Sequence, residues 1–323
     1  MGAAEGARRL ASAQRVRAFS FVVLAAASWG IGTVLSKRAV GELPPLTLLA
    51  AQLLVSVAIL LIAVWWTGQS LRGTDRRLAL LGALNPGLAY ALSLAGLTVI
   101  SASASVLIWA MEPILILLLA AIVLGERPGP VIGALSLLAF AGLVVALGIQ
   151  ADGAAIVGVV VSLAGVLCCV VYSVATRRWI TASPSTLGVV TSQQAVALVV
   201  VLGALLVAPV GGWSIAPTSV TIPGLASVVA SGLLYYAAAY LLYLNALRVL
   251  PVSTAAISFY LVPVFGVAAA TAAGESLIGS QWLGATLTIT AVLAVGVVDL
   301  RRSAAPQSAR THSACGPRKE MFG

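Results

Sequence analysis

Residues 90–126 read Tyr90-Ala-Leu-Ser-Leu-Ala-Gly-Leu97, a four-residue break, Ala102 through Met111-Glu112-Pro113, and finally Leu124-Gly125-Glu126. The pattern returns 150 positions later, with Tyr240 for Tyr90, Leu244 for Leu94, Leu247 for Leu97, Ser253 for Ser103 and Pro263 for Pro113. Gly274-Glu275 then answers Gly125-Glu126 after a one-residue deletion. From Tyr90 to Pro113, 7 of 24 positions are identical to their counterparts. One position differs in kind, because Glu112 is matched by Val262. The chain is a duplication in which only one half carries a carboxylate in mid-helix.

Composition sets the solvent. Of 323 residues, 61% are hydrophobic and 8% charged, and the mean hydropathy is +1.09. A soluble domain carries about 25% charged residues, and a membrane-spanning helix needs roughly 20 apolar ones. Ten apolar segments fit this need, at about 19–37, 45–67, 77–97, 101–124, 131–149, 154–177, 186–209, 221–247, 252–273 and 281–299. Turn-rich links such as Gly41-Glu42-Leu43-Pro44-Pro45 and Glu126-Arg127-Pro128-Gly129-Pro130 separate them. The expected fold is therefore an all-α polytopic membrane protein of ten transmembrane helices.

The net charge of +9 is scattered over links and tails, which speaks against nucleic acid as a partner. With ten spans and a cytoplasmic start, 16 of the 18 basic residues fall on the cytoplasmic side, leaving only Lys37 and Arg38 outside. Cytoplasmic retention of Lys and Arg gives this bias, and a nine- or eleven-span count would scramble it. Both termini are then cytoplasmic, as a basic, flexible N-terminal tail (1–18) and a polar C-terminal tail (300–323). The five-helix repeats occupy 19–149 and 154–299. An odd number of spans inverts the second repeat relative to the first, an arrangement that recurs among transporters with a midplane site. A cleaved signal peptide is disfavoured, because Lys37-Arg38 ends the first run without a small-residue cleavage site.

These residues together resemble the drug/metabolite transporter superfamily, in particular its EamA-type members. The carriers of the resemblance are Ser28-Trp29-Gly30, the Tyr90 to Gly96-Leu97 stretch, Glu112-Pro113 and Leu124-Gly125-Glu126. In the second half they are Tyr240 with Leu244-Asn245-Ala246-Leu247, Pro263 and Gly274-Glu275. The resemblance covers roughly residues 19–299. It implies an inner-membrane exporter or exchanger of small metabolites, amino acids or related compounds first, with a cavity between the halves. Many relatives carry an arginine in the second span, where this chain has Gln52, so a fixed guanidinium–carboxylate pair is not expected.

Glu112 is the sharpest functional signal. A carboxylate at helix centre costs about 2.5–3.5 kcal/mol on insertion scales and normally faces the bundle interior or water. There it can bind an amine or exchange a proton; the competing reading is a protonated acid that only packs. Trp109 and Tyr260 lie within a turn of its level, and Asn85, in the Asn85-Pro86-Gly87 break, is an amide at membrane depth. With Trp29, Gln52, Tyr90, Tyr240 and Asn245 they make up the expected substrate site. Pro113 and Pro263 each free a backbone carbonyl, and their matching positions suggest paired hinges. Glu126 and Glu275 read as structural caps at span ends.

No metal or cofactor is expected: Cys168 and Cys169 are adjacent, Cys315 is in the tail, and His312 is the lone histidine. A histidine-free set of spans also lacks the base that a membrane serine hydrolase needs, so an enzyme is not expected. A channel, or a structural or receptor-like membrane protein, is the alternative to a carrier. The expected partners are a small-molecule substrate, the lipid bilayer and protons. Oligomeric state is not legible.

Overall fold

Backbone groups in lipid must be satisfied within the chain, and apolar runs of this length achieve that as helix. The computed structural model describes residues 2–71, 73–115, 119, 130–147, 153–177, 185–247 and 257–304, with helices and turns but no strand among them. The helices are α1 (Gly2–Ala39), α2 (Pro45–Thr67), α3 (Arg76–Leu97), α4 (Ala102–Leu115), α5 (Pro130–Leu147), α6 (Gly153–Arg177), α7 (Thr186–Val207), α8 (Ile222–Ala246), α9 (Ile257–Ala272) and α10 (Gly279–Ala304). Among the described residues, six are long and apolar enough to cross a membrane, in α1, α2, α3, α6, α7 and α8. Shorter apolar helices occupy α4, α5, α9 and α10.

One expectation is corrected at the start of the chain. Residues 2–18 are not a flexible tail but the first turns of α1. Alanine, arginine and glutamate are strong helix formers, and extending an already nucleated helix is far easier than starting one.

Helix starts follow local chemistry. Pro45 opens α2 with its fixed φ. Ser101, Ser185 and Thr221 accept, through their hydroxyls, the amides of Ala104, Gly188 and Gly224, each at 3.0 Å. α3 is broken at Asn85, whose φ of −143° and ψ of 119° are extended, as a residue before proline prefers. The wide-turn stretch that contains this residue (Leu84–Leu88) has a counterpart in α8 at Gly232–Ala238. These stretches sit at matching places in the duplication.

Packing respects the duplication as well. α1 lies against α8, and α3 against α6; α2 crosses α8, and α7 crosses α3. α2 packs on its own counterpart α7, and α5 on α10. α2 and α7 are antiparallel: Ser185 at the start of α7 donates to Gln69 beyond the end of α2 (2.6 Å). Thr47 at the start of α2 donates to the carbonyl of Ile215 beyond α7 (2.7 Å). Both crossings need glycine. A Cβ on Gly232 would stand 2.8 Å from the Gln52 carbonyl, and one on Gly82 would run into the Gln193 carbonyl. The outer wall exposes Leu54, Leu137, Val157 and Leu206, the surface a hydrocarbon solvent favours.

A second tie joins the halves outside the spans. Glu42 accepts hydrogen bonds from Thr221 through its amide (2.9 Å) and hydroxyl (2.6 Å). The Thr221 hydroxyl bond, then the amide bond, holds the Glu42 carboxyl below its ordinary value of 4.5. A depressed native value means that this tie is fully present above the unfolded value and is lost as pH falls through the native one.

Gly82→Ala should lower the unfolding midpoint in detergent, by about 1–3 kcal/mol of overpacking. Gly203→Ala, where an added Cβ meets nothing within 4 Å, should be neutral or slightly stabilising. Hydrogen exchange at the Thr218 and Thr221 amides, corrected for intrinsic rates, should rise as pH drops below 4.5. Glu42→Gln should remove that pH dependence.

Candidate functional site

The residue that began the duplicated pattern meets its own counterpart. The hydroxyls of Tyr90 on α3 and Tyr240 on α8 lie 2.8 Å apart, both side chains buried. A contact between equivalent positions lies on the line relating the two halves. Tyr240 stands there because α8 crosses the break in α3: the Asn85 amide nitrogen donates to the Tyr240 hydroxyl and to the Cys169 thiol, each at 3.3 Å. The Cys169 thiol on α6 in turn donates to Glu112 Oε1 at 3.1 Å, and Ser173, one turn along, reaches the same oxygen at 3.5 Å. A buried chain of polar groups therefore runs from Glu112 through Cys169, Asn85 and Tyr240 to Tyr90, drawing on both halves.

Glu112 is 3% exposed. The helix of Ala102–Trp109 stops, two turn residues follow, and helical structure resumes at Glu112. Among the described residues its hydrogen-bond partners are the neutral Cys169 and Ser173. The proline behind it sits at this interruption. Pro263, its counterpart, lies inside an uninterrupted α9, so the two prolines shape their helices differently although both are buried.

On the other side of the tyrosine pair the counterparts are aromatic. Asn85 corresponds to Tyr235 at the 150-residue offset, and Cys169 to Trp29 at the 140-residue offset that relates the earlier spans. Trp29 stacks on Phe259 (5.5 Å between centroids, 17° between planes) and meets Tyr240 edge-on at 5.7 Å. Its buried Nε1 has no hydrogen-bond partner among the described residues. Tyr235 meets Tyr90 edge-on at 5.2 Å, and Trp109 packs on Tyr90 at 5.4 Å while donating to Ser93 at 2.9 Å. The centre thus has a polar lobe (Glu112, Cys169, Asn85, Ser173) and an aromatic lobe (Trp29, Tyr235, Phe259), with the tyrosine pair between them.

Of the expected site residues, Glu112, Trp109, Asn85, Tyr90, Tyr240 and Trp29 come together here. Gln52 lies in an adjoining buried layer, donating to Ser36 (2.9 Å) and Ser231 (2.6 Å), with its carbonyl oxygen unpartnered among the described residues. Asn245 stands apart: its side chain is exposed and donates to Leu241 O of its own helix at 2.8 Å. The amide at that position serves the helix surface and does not reach the cluster. The Tyr260 side chain and Leu124-Gly125-Glu126 lie outside the described residues. Cys169, Ser173 and Ser93 escaped the sequence reading. Cys169 and Ser173 are four apart in an apolar helix, and that spacing puts two polar groups on one face; it is the signal that was available.

Buried hydrogen bonds between membrane helices are worth about 0.6 kcal/mol on average and up to about 1.7. Tyr90→Phe and Tyr240→Phe should each destabilise by about this amount. The double variant should cost no more than Tyr240→Phe alone in a double-mutant cycle on unfolding, because that change already removes the bond between the two hydroxyls together with the one to Asn85.

No protein of curated function matches this chain. A solved crystal structure that is 22% identical superposes with a TM-score of 0.64 over 91% of this chain and 99% of its own, a likeness of fold. The pattern of the EamA-like transporter family matches twice, over residues 16–148 and 156–297. With both halves of a multi-pass helical chain so matched, the chain belongs to the EamA-like transporter family.

Proposed function

We propose that the protein is a secondary transporter of the inner cell membrane that exports a small amphipathic metabolite, an amino acid or a relative of one, by alternating access. Ten spans form two inverted five-helix halves, and both termini are cytoplasmic. The halves rock about the Tyr90–Tyr240 line with Pro113 and Pro263 as hinges. The observation that carries this reading is Glu112, a buried carboxyl held by neutral donors within a polar seam that both halves build. A structural acid would gain from a nearby cation, and a carboxyl with neutral partners is free to exchange them for a cargo group.

The two lobes favour a cargo with two ends. An amine matches Glu112, and an apolar side chain matches the ring wall of Trp29, Phe259 and Tyr235. The same carboxyl couples flux to protons if it carries either a proton or the amine, but not both. An inward proton then resets the site after the cargo leaves.

Comparing the metabolites outside cells with and without the protein identifies the cargo. In proteoliposomes its flux should saturate and respond to an imposed proton gradient. Linear, unsaturable flux would favour a channel. Loss of a charge-assisted hydrogen bond is worth about 1.5–3 kcal/mol, so Glu112→Gln should weaken cargo affinity by about 10- to 100-fold and abolish the proton response. A proton response intact in Glu112→Gln removes the coupling role.

A further inference from the structure

We infer that Lys37 and Glu275 are gating residues: together they latch the turn between α3 and α4 and close one mouth of the central cavity. The turn is held from two sides. Lys37, in the last turn of α1, donates from Nζ to the Leu97 carbonyl at 2.8 Å and reaches the Thr98 carbonyl at 3.5 Å. Glu275, in the link before α10, accepts the Ala102 amide at 3.1 Å and the Ser103 amide at 3.2 Å. Each charge meets the helix end of complementary sign: a cation on the C-terminal carbonyls of α3, an anion on the N-terminal amides of α4. The two charges also attract each other.

Geometry gives the contact a use beyond capping. Ser101 already caps α4 from within, through Ala104, so Glu275 adds a bond that spans the two halves. Leu97, whose carbonyl Lys37 holds, also lines a cavity with Thr33, Ser36, Tyr90, Ser93 and Ser105, among others. Ser36 and Leu97 adjoin the latch, whereas Tyr90 belongs to the central pair. The cavity therefore leads from the latch to the site, and with the latch shut it has room for about one water molecule. Carbonyl and amide groups released from the latch find water at once, since they lie at the span ends, so opening forfeits little hydrogen bonding. A buried tie in mid-membrane has no such exchange partner. Separating Glu275 from the turn removes the bond that spans the halves and gives solvent a route to Ser105.

The consequence for flux rests on the carrier reading, but the closure can be measured without a cargo. Ser105→Cys places a thiol in the cavity, and a chain without it corrects for the native cysteines. A membrane-impermeant maleimide, applied from the face that carries Lys37, should label this introduced thiol slowly when the latch residues are intact. Glu275→Gln and Lys37→Gln should each raise that rate on the order of tenfold, matching about 1.4 kcal/mol of lost closure, with the unfolding midpoint little changed. An unchanged rate in both variants overturns the latch. If a variant fails to fold, the pair Glu275→Cys and Ser103→Cys, bridged by a short reducible bis-thiosulfonate, tests closure instead. The bridge should keep the cavity thiol protected and stop cargo flux until it is reduced; flux that continues through the bridged protein overturns the proposal. No flux before bridging or after reduction, with labelling behaving as expected, sinks the carrier reading and leaves the latch standing.

Discussion

A hydrogen bond between two tyrosine hydroxyls, Tyr90 and Tyr240, joins the halves of this protein at the line that relates them. Polar atoms at such depth cannot turn to water, so each must find a partner inside the protein. Asn85, Cys169 and Glu112 extend the pair into a connected chain. The break in α3 is part of the same solution. A continuous helix would keep Asn85 within its own turns, whereas the extended backbone at this residue delivers the amide to α6 and α8.

The helix crossings around this chain depend on small residues. Gly82 under Gln193 and Gly232 under Gln52 let two helix backbones approach more closely than any side chain allows. Attraction between helices in lipid comes from such contact and from interhelical hydrogen bonds, because hydrocarbon offers no hydrophobic drive. These two glutamines supply both. Their backbones fill the space that glycine leaves, and their side chains bond to Ser36 and Ser231 from Gln52, and to Leu78 and Tyr172 from Gln193.

Duplication makes the scaffold nearly symmetric, and substitution makes the centre asymmetric. Val262 in place of a second carboxylate, Trp29 opposite Cys169 and Tyr235 opposite Asn85 convert one of two equivalent lobes into a ring wall. A symmetric pair of carboxylates would repel across the seam. One carboxyl beside one aromatic wall instead leaves the centre chemically two-sided.

Periodic apolar runs and the 150-residue offset were enough to establish the helical class, the duplication and the singular position of Glu112, because spanning a membrane leaves the backbone few options. They did not establish partners. Cys169 entered the sequence reading only as a cysteine without metal-ligand spacing, and Asn245 as a site amide, because a helix face has no direction until its neighbours are placed. The first turns of α1 read as a tail, since charge and small size mask helix propensity in a short polar stretch. Glu275 was legible as a cap, but not the helix it caps, 173 residues away. Local pattern alone thus settled that the chain is built of apolar helices in two related halves and that one half lacks the other's mid-helix carboxylate. That Tyr90 touches Tyr240, and that Glu112 answers to a thiol, came only with the packed fold, because contacts between distant helices depend on crossing angles and close approaches that no local pattern encodes.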